Sequence, residues 1–191
     1  MIDSLYKAFQ HWSEGGSIWI ISDLHFNDLD CKLMNPNWIQ PEEQINIINS
    51  KVFKNDHLIL LGDNGDPSYL KEIKCKHLIC IYGNHDRRGD YKGLFEEEYS
   101  GALFIADKIL LSHEAIYGLP FCVNIHGHHH NGEHRYYDEY GCKHINLAAD
   151  VCNYEPINLG KEIKNGLLSD IPQIHRITID SATERKNNGK F

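Results

Sequence analysis

The chain is poor in several things that would place it elsewhere. Proline (6 of 191 residues) and methionine (2) are scarce, and 15 glycines show no period, which excludes a collagen-like chain. No apolar run is long enough to span a bilayer. The opening stretch MIDSLYKAFQHWSEGGS contains no apolar core, so no secretory signal is expected. The 6 cysteines (Cys31, Cys75, Cys80, Cys122, Cys142, Cys152) form no C-x-x-C pair. That removes zinc-ribbon and thioredoxin-type motifs. A disulfide framework suits a small secreted chain, and this one is neither small nor tagged, so reduced and mostly buried thiols in the cytoplasm are expected. Positive charge is also in deficit: 19 Lys and Arg against 27 Asp and Glu give −8. A general nucleic-acid binder would carry a basic footprint instead.

What is present is an ordinary globular composition, 41% hydrophobic and 24% charged, together with 13 histidines. Histidine is the commonest metal ligand and titrates nearest neutrality. At this length one domain is expected, assigned to 1–180, with a polar tail at 181–191. Short apolar runs at Ser17–Ser22, His57–Leu61 and His77–Tyr82 read as buried strands. Between them lie a turn-rich loop at Asp23–Gln40 and helices opening at Pro41 and Pro67. Proline suits a first helical position, and Glu42 and Glu43 suit the positive end of the helix dipole. Alternating strands and helices mark an α/β chain. The second half is richer in strands, at 102–106, 108–111, 121–125, 143–147 and 174–179. Asn158 is expected to cap a helix reaching Leu168. Asp66 is expected to cap the helix at Pro67, and the Asp138-Glu139 pair to lie in a solvated loop.

The polar residues gather where apolar runs end. One run ends Ser22-Asp23-Leu24-His25, the next Gly62-Asp63-Asn64-Gly65-Asp66, the third Gly83-Asn84-His85-Asp86. Later runs end at Ser112-His113 and at His126-Gly127-His128-His129-His130. In open α/β sheets ligands bind beyond the carboxyl ends of the strands, so these bursts are expected to converge. Aspartate, histidine and an asparagine carbonyl, without cysteine, suit manganese, iron or zinc better than calcium. If the backbone is extended there, Asp23 and His25 point one way, as do His128 and His130, while Leu24 and His129 point away. Gly62, Gly83 and Gly127 each precede a candidate ligand and permit close backbone approach. His126 is expected to pack on its strand. His11, His57, His77, His144 and His175 read as ordinary surface or core histidines.

In this order, Asp23-x-His25, Gly62-Asp63, Gly83-Asn84-His85-Asp86, His113 and Gly127-His128-x-His130 resemble the signature of the calcineurin-like metallophosphoesterases. The closing INLAADVCNYEPINL resembles the last core segment of small bacterial and phage members. The resemblance implies a two-sheet β-sandwich flanked by helices, in four layers, with a dinuclear metal centre at the strand ends. It implies that Asp23, His25 and His130 hold one divalent transition metal and Asn84, His113 and His128 a second. Asp63 would bridge them. Manganese is the first expectation, with iron, zinc and nickel as alternatives. His85 would protonate the leaving group, Asp86 would orient His85, and Arg87 and Arg88 are candidate phosphate contacts. The chain departs from the pattern at Asn27-Asp28 and at Glu114, which bear on the substrate rim. The implied activity is hydrolysis of a small phosphomonoester or phosphodiester by a metal-activated water. A nuclease acting on short nucleic acid and a non-catalytic scaffold are the alternatives. Neither a membrane partner nor an oligomeric state is indicated.

Overall fold

Neighbouring residues of the first strand, β1 (Ile18–Ile21), serve two different cores. Ile18 and Ile20 pack inward with Ile59, Leu61, Ile125 and Ile145, whereas Trp19 and Ile21 pack with Leu58, Leu60, Ile45 and Ile48. A strand covered on both faces reads as a continuous apolar run, which is why SIWIIS and HLILL stood out. Each fully buried isoleucine or leucine of this kind contributes about 1.5–3 kcal/mol.

The computed structural model describes residues 11–12, 15–106 and 108–172. Two five-stranded sheets face each other across the first of those cores. In one, β1, β2 (His57–Leu60), β3 (His77–Ile81) and β4 (Glu97–Tyr99) run parallel, and β10 (Ile157–Asn158) closes the edge antiparallel to β1. In the other, β6 (Ile109–Leu111), β7 (Val123–His126) and β9 (Lys143–Asn146) are parallel, flanked by antiparallel β5 (Leu103–Ala106) and β8 (Arg135–Tyr137). A parallel bridge between Ser22 and Ala148 ties the end of β1 to the end of β9. That bridge brings the carboxyl ends of both sheets to one place.

Helices α1 (Cys31–Met34), α2 (Pro41–Lys51), α3 (Pro67–Leu70) and α4 (Leu159–Lys164), with a 3-10 turn at Arg88–Tyr91, connect and flank these strands. Ile45 and Ile48 of α2 and Leu70 of α3 cover the outer face of the first sheet. Pro41 stands at the first turn of α2. The Asp66 carboxylate accepts from Ser68 N–H and caps α3. Asn158 accepts from Lys161 N–H and caps α4. The expected loop at Asp23–Gln40 is interrupted by α1, one short turn whose buried anchor is Cys31. The expected strand at 174–179 and the tail at 181–191 lie outside the described residues. No helix among the described residues is long and apolar enough to cross a membrane. All 6 cysteines are free, and only Cys152 is not fully buried.

The Asp138-Glu139 pair is not simply a solvated loop. The Asp138 carboxylate accepts from the backbone N–H of Tyr140 (2.9 Å) and Cys142 (2.7 Å) and meets His144 Nε2 at 3.3 Å. It thereby shapes the turn that enters β9. Burial pushes its carboxyl up, but the bonds from Cys142, His144 and Tyr140 outweigh that and hold it down to about 2. A depressed carboxyl stabilises the fold above its ordinary value of 3.8 and loses that contribution as pH falls towards about 2. Asp138→Asn is therefore expected to lose less melting temperature than the parent between pH 4 and pH 2, as calorimetry can read. Equal losses would contradict the assignment.

Candidate metal centre

Five loops meet beyond the strand ends and hold one another. Asp23 N–H donates to Gly62 O (2.9 Å), His25 N–H to Asp63 O (2.9 Å) and Gly127 N–H to His113 O (2.8 Å). The His128 N–H donates to Asp23 Oδ2 at 2.9 Å. The packing leaves no room for side chains at two glycines. A Cβ on Gly127 would sit 2.0 Å from Asp23 Oδ2, and one on Gly83 would sit 2.2 Å from Asp63 Oδ1.

The convergence does not arise from extended backbone, as the i, i+2 reading expected. Asp23 (φ 55°), His25 (φ 41°), Asp63 (φ 51°) and His128 (φ 67°) all lie in the left-handed region. For non-glycine residues this costs about 1–3 kcal/mol each and is characteristic of functional sites. The interloop bonds above supply the constraint. Leu24 still points away, into the core under the helices. His129 turns its ring towards His126, 5.5 Å between centroids.

The side chains form two groups of three: Asp23, His25 and His130, and Asp63, His113 and His128. Within each group the donor atoms lie within 4.8 Å of one another. Asp63 joins them, its Oδ2 standing 3.7 Å from His25 Nε2 and 3.3 Å from His113 Nε2. Asn84 Oδ1 comes to 2.8 Å from His113 Nε2. All seven candidate ligands are thus brought together.

The hydrogen bonds test whether this cluster fits a cation. His113 Nδ1 faces the Leu61 carbonyl at 2.8 Å. A carbonyl only accepts, so Nδ1 carries the proton and the neutral ring leaves a bare lone pair on Nε2. That lone pair faces Asn84 Oδ1, Asp63 Oδ2 and, at 3.2 Å, His128 Nδ1. The two oxygens are acceptors, so a metal ion or a proton has to stand between them and Nε2. The other group repeats the pattern. His130 donates from Nδ1 to Asp150 Oδ1 (2.9 Å), which aims Nε2 at Asp23 Oδ1, 3.5 Å away. Asp23 Oδ1 is buried and has no hydrogen-bond partner among the described residues. His25 Nδ1 meets Asp28 Oδ2 at 3.1 Å, leaving Nε2 towards Asp63. The residues therefore fit divalent metal, which the two groups could hold.

Electrostatics agree. Burial pushes the Asp23 carboxyl up. Burial also acts to raise Asp63, but hydrogen bonding and charge from His113, with the His85 N–H and His25, bring it below the ordinary range. Burial opposes a charged His113, yet the Asp63 hydrogen bond and the charges of Asp23 and Asp63 push it up to about 9. Without a metal, this cluster recruits a proton in its place.

The remaining site expectations separate. His85 is exposed, its ring 5.4 Å from that of His25, and its N–H donates to Asp63 Oδ1 at 2.8 Å. Asp86 does not orient His85. Its carboxylate accepts instead from the N–H groups of Asp63 (2.8 Å), Asn64 (3.0 Å) and Gly83 (2.9 Å) and from the Tyr91 hydroxyl (2.9 Å). It fixes the two loops that carry Asp63 and Asn84, because three N–H groups in one concavity attract a carboxylate more strongly than one neighbouring imidazole does. Arg87 is exposed beside His85. Arg88 turns elsewhere, bonding Ser100 Oγ with its guanidinium 5.2 Å above the Tyr82 ring. Glu114 is exposed.

A family model described as calcineurin-like phosphoesterase matches residues 16–176. This chain belongs to that family. The calcineurin-like phosphoesterases are hydrolases that bind divalent metals, and the two Asp/His groups are where this member could hold them. It is 30% identical over 165 residues to an uncharacterized protein of Methanocaldococcus jannaschii, a match covering 77% of this chain and 89% of that one. A crystal structure of a protein of unknown function from Aquifex aeolicus superposes with a TM-score of 0.61 at 23% identity. It covers 78% of this chain and 98% of its own, and supports the two-sheet fold.

Sequence reasoning on this phosphoesterase missed the residues behind the ligands: Asp28 behind His25, Leu61 O behind His113 and Asp150 behind His130. A ligand histidine usually gives its other N–H to an acceptor, so Asp28, 3 residues after His25, was an available signal, whereas Asp150 lies 20 residues from His130. Asp150→Ala is expected to weaken metal binding about 10–100-fold, read by isothermal titration of the metal-free protein. A change below threefold would reduce Asp150 to a structural role.

Proposed function

We propose that this protein is a dinuclear metal-dependent phosphoesterase that hydrolyses a phosphomonoester or phosphodiester of a small substrate. The observation that carries this reading is the position of Asp63 Oδ2, 3.3 Å from His113 Nε2 and 3.7 Å from His25 Nε2, which joins the two Asp/His groups. Asp23, His25 and His130 would hold one ion, and Asn84, His113 and His128 the other, with Asp63 shared. When bound, two divalent ions supply Lewis acidity, neutralising phosphoryl charge and making water nucleophilic near neutral pH. An all nitrogen-and-oxygen donor set of aspartate, histidine and asparagine favours manganese, with iron, zinc or nickel able to substitute. His85, exposed at the mouth, is placed to give a proton to the leaving oxygen. Arg87 beside it is free to meet a phosphoryl oxygen. The −8 charge argues for a small substrate over a long polyanion. A complete donor set argues against a scaffold, and the free thiols support a reducing, cytoplasmic setting.

The test is stripping and reloading. Protein reconstituted with manganese is expected to carry up to two ions per chain by elemental analysis and to hydrolyse bis(p-nitrophenyl) phosphate. Activity that survives a chelator, or a chain that retains no metal, would overturn the reading.

A further inference from the structure

Two histidines of one ligand group share a neighbour that offers no donor atom. The Trp38 indole packs edge-to-face on His25, with ring centroids 6.0 Å apart at 79°, and tilted on His130 at 5.7 Å and 59°. The two imidazoles stand 5.3 Å from each other. Trp38 is 8% exposed and lies in the connection between α1 and α2. Its own position is fixed from another side. The Tyr154 ring meets the indole at 5.6 Å and 90°. The Tyr154 hydroxyl accepts from Ile39 N–H (3.3 Å), and Trp38 N–H donates to Asn35 O (2.9 Å). Tyr154 closes the turn that begins at Ala149, its N–H donating to Ala149 O at 2.7 Å. That turn also carries Asp150, the acceptor behind His130. The tryptophan is therefore fastened to the stretch of chain that orients one of its histidines.

The second group is built differently. His113 and His128 face each other at 5.0 Å, and among the described residues no tryptophan, tyrosine or phenylalanine ring packs on either. In the first group each histidine has one carboxylate behind it, Asp28 or Asp150. One hydrogen bond selects the nitrogen that faces the centre. The torsion that turns an imidazole is broad, however, so the ring can still rock about that bond. A metal site keeps its geometry when ligand rotamers are locked by packing as well as by hydrogen bonds. Tilted and edge-to-face ring pairs supply such packing. We propose that Trp38 is a positioning residue that locks His25 and His130 for one ion and takes no part in holding the other. This rests on the two-ion reading above.

The test is calorimetric titration of the metal-free protein with manganese, in backgrounds that keep one group intact. In His128→Ala, which retains Asp23, His25 and His130, Trp38→Leu is expected to weaken the remaining ion about tenfold. Trp38→Phe, which keeps a ring there, is expected to restore most of that affinity. In His130→Ala, which retains Asp63, His113 and His128, Trp38→Leu is expected to leave the affinity unchanged. A tryptophan that only supports the fold would weaken both backgrounds alike. Equal loss in the two, or no loss in the first, overturns the proposal. Should Trp38→Leu fail to fold by circular dichroism, fluorescence decides. Of the 3 tryptophans, Trp12 donates to Glu97 (2.8 Å) and Trp19 to Asp56 (3.0 Å), both at the amino ends of the parallel strands, away from the ligands. Nickel, which quenches an indole at short range, is expected to dim the parent and not Trp38→Phe. Equal quenching in both overturns the proposal. A parent that binds no metal overturns the two-ion reading and the proposal with it. Two ions bound with the Trp38 dependence above, in a protein that hydrolyses nothing, support the role of Trp38 and overturn only the phosphoesterase activity.

Discussion

His85→Asn is expected to lower kcat by about 10²–10⁴-fold while leaving the metal content of the protein unchanged. The geometry separates the two effects. The His85 ring is exposed and makes no hydrogen bond to a described residue, so its removal orphans nothing. Its tie to the centre is the backbone N–H on Asp63 Oδ1 at 2.8 Å, which asparagine retains. The lost function is proton delivery, and that loss depends on the leaving group. A nitrophenolate departs without a proton, whereas a simple alkoxide does not. The decrease is therefore expected to be larger for an alkyl ester than for a nitrophenyl ester. If metal content falls together with kcat, His85 is a ligand and the donor assignment is wrong.

How much of this was visible in the sequence depended on the range of the forces involved. The central strands were legible because both of their faces are buried, which leaves uninterrupted isoleucine and leucine. Three of the four edge strands were not, whereas β5, expected at 102–106, was. β4 (EEY), β8 (RYY) and β10 (IN) are two or three residues long and partly exposed, and only pairing with a neighbour makes them strands. Helix α1 was read as loop because its four residues carry no periodicity and no capping side chain.

The ligand cluster was legible for a different reason. Aspartate, asparagine and histidine recur together at five run ends, and parallel strands collect their carboxyl ends whatever the details of the loops. The backbone that aims the ligands was not legible. Aspartate and histidine at positive φ are imposed by contacts between loops distant in sequence, such as His128 N–H on Asp23 Oδ2. Asp86 shows the same limit. Adjacent in sequence to His85, it was assigned to it, whereas the fold brings it three N–H groups and a tyrosine hydroxyl instead. The acceptors behind the histidines, Asp28 and Asp150, carry no spacing rule of their own.

Asp63→Asn is expected to be the more severe change, reducing both metal stoichiometry and turnover, the latter by about 10³-fold or more, equivalent to about 4 kcal/mol. The argument is one of position. Asp63 Oδ2 is the atom shared by the two groups, 3.7 Å from His25 Nε2 and 3.3 Å from His113 Nε2. An amide in that place either turns its NH₂ towards those nitrogens, satisfying the His113 lone pair with a hydrogen bond and closing the cation site, or offers a neutral oxygen to two cations. Either way one negative charge is lost where two positive charges would meet. The loop itself should survive. The residue 63 N–H remains anchored to Asp86 Oδ2 at 2.8 Å, and its backbone carbonyl still accepts from His25 N–H at 2.9 Å. Circular dichroism is therefore expected to match the parent while elemental analysis falls to one ion per chain or fewer. Retention of two ions with full turnover would place the shared ligand elsewhere and remove the physical basis for a dinuclear centre.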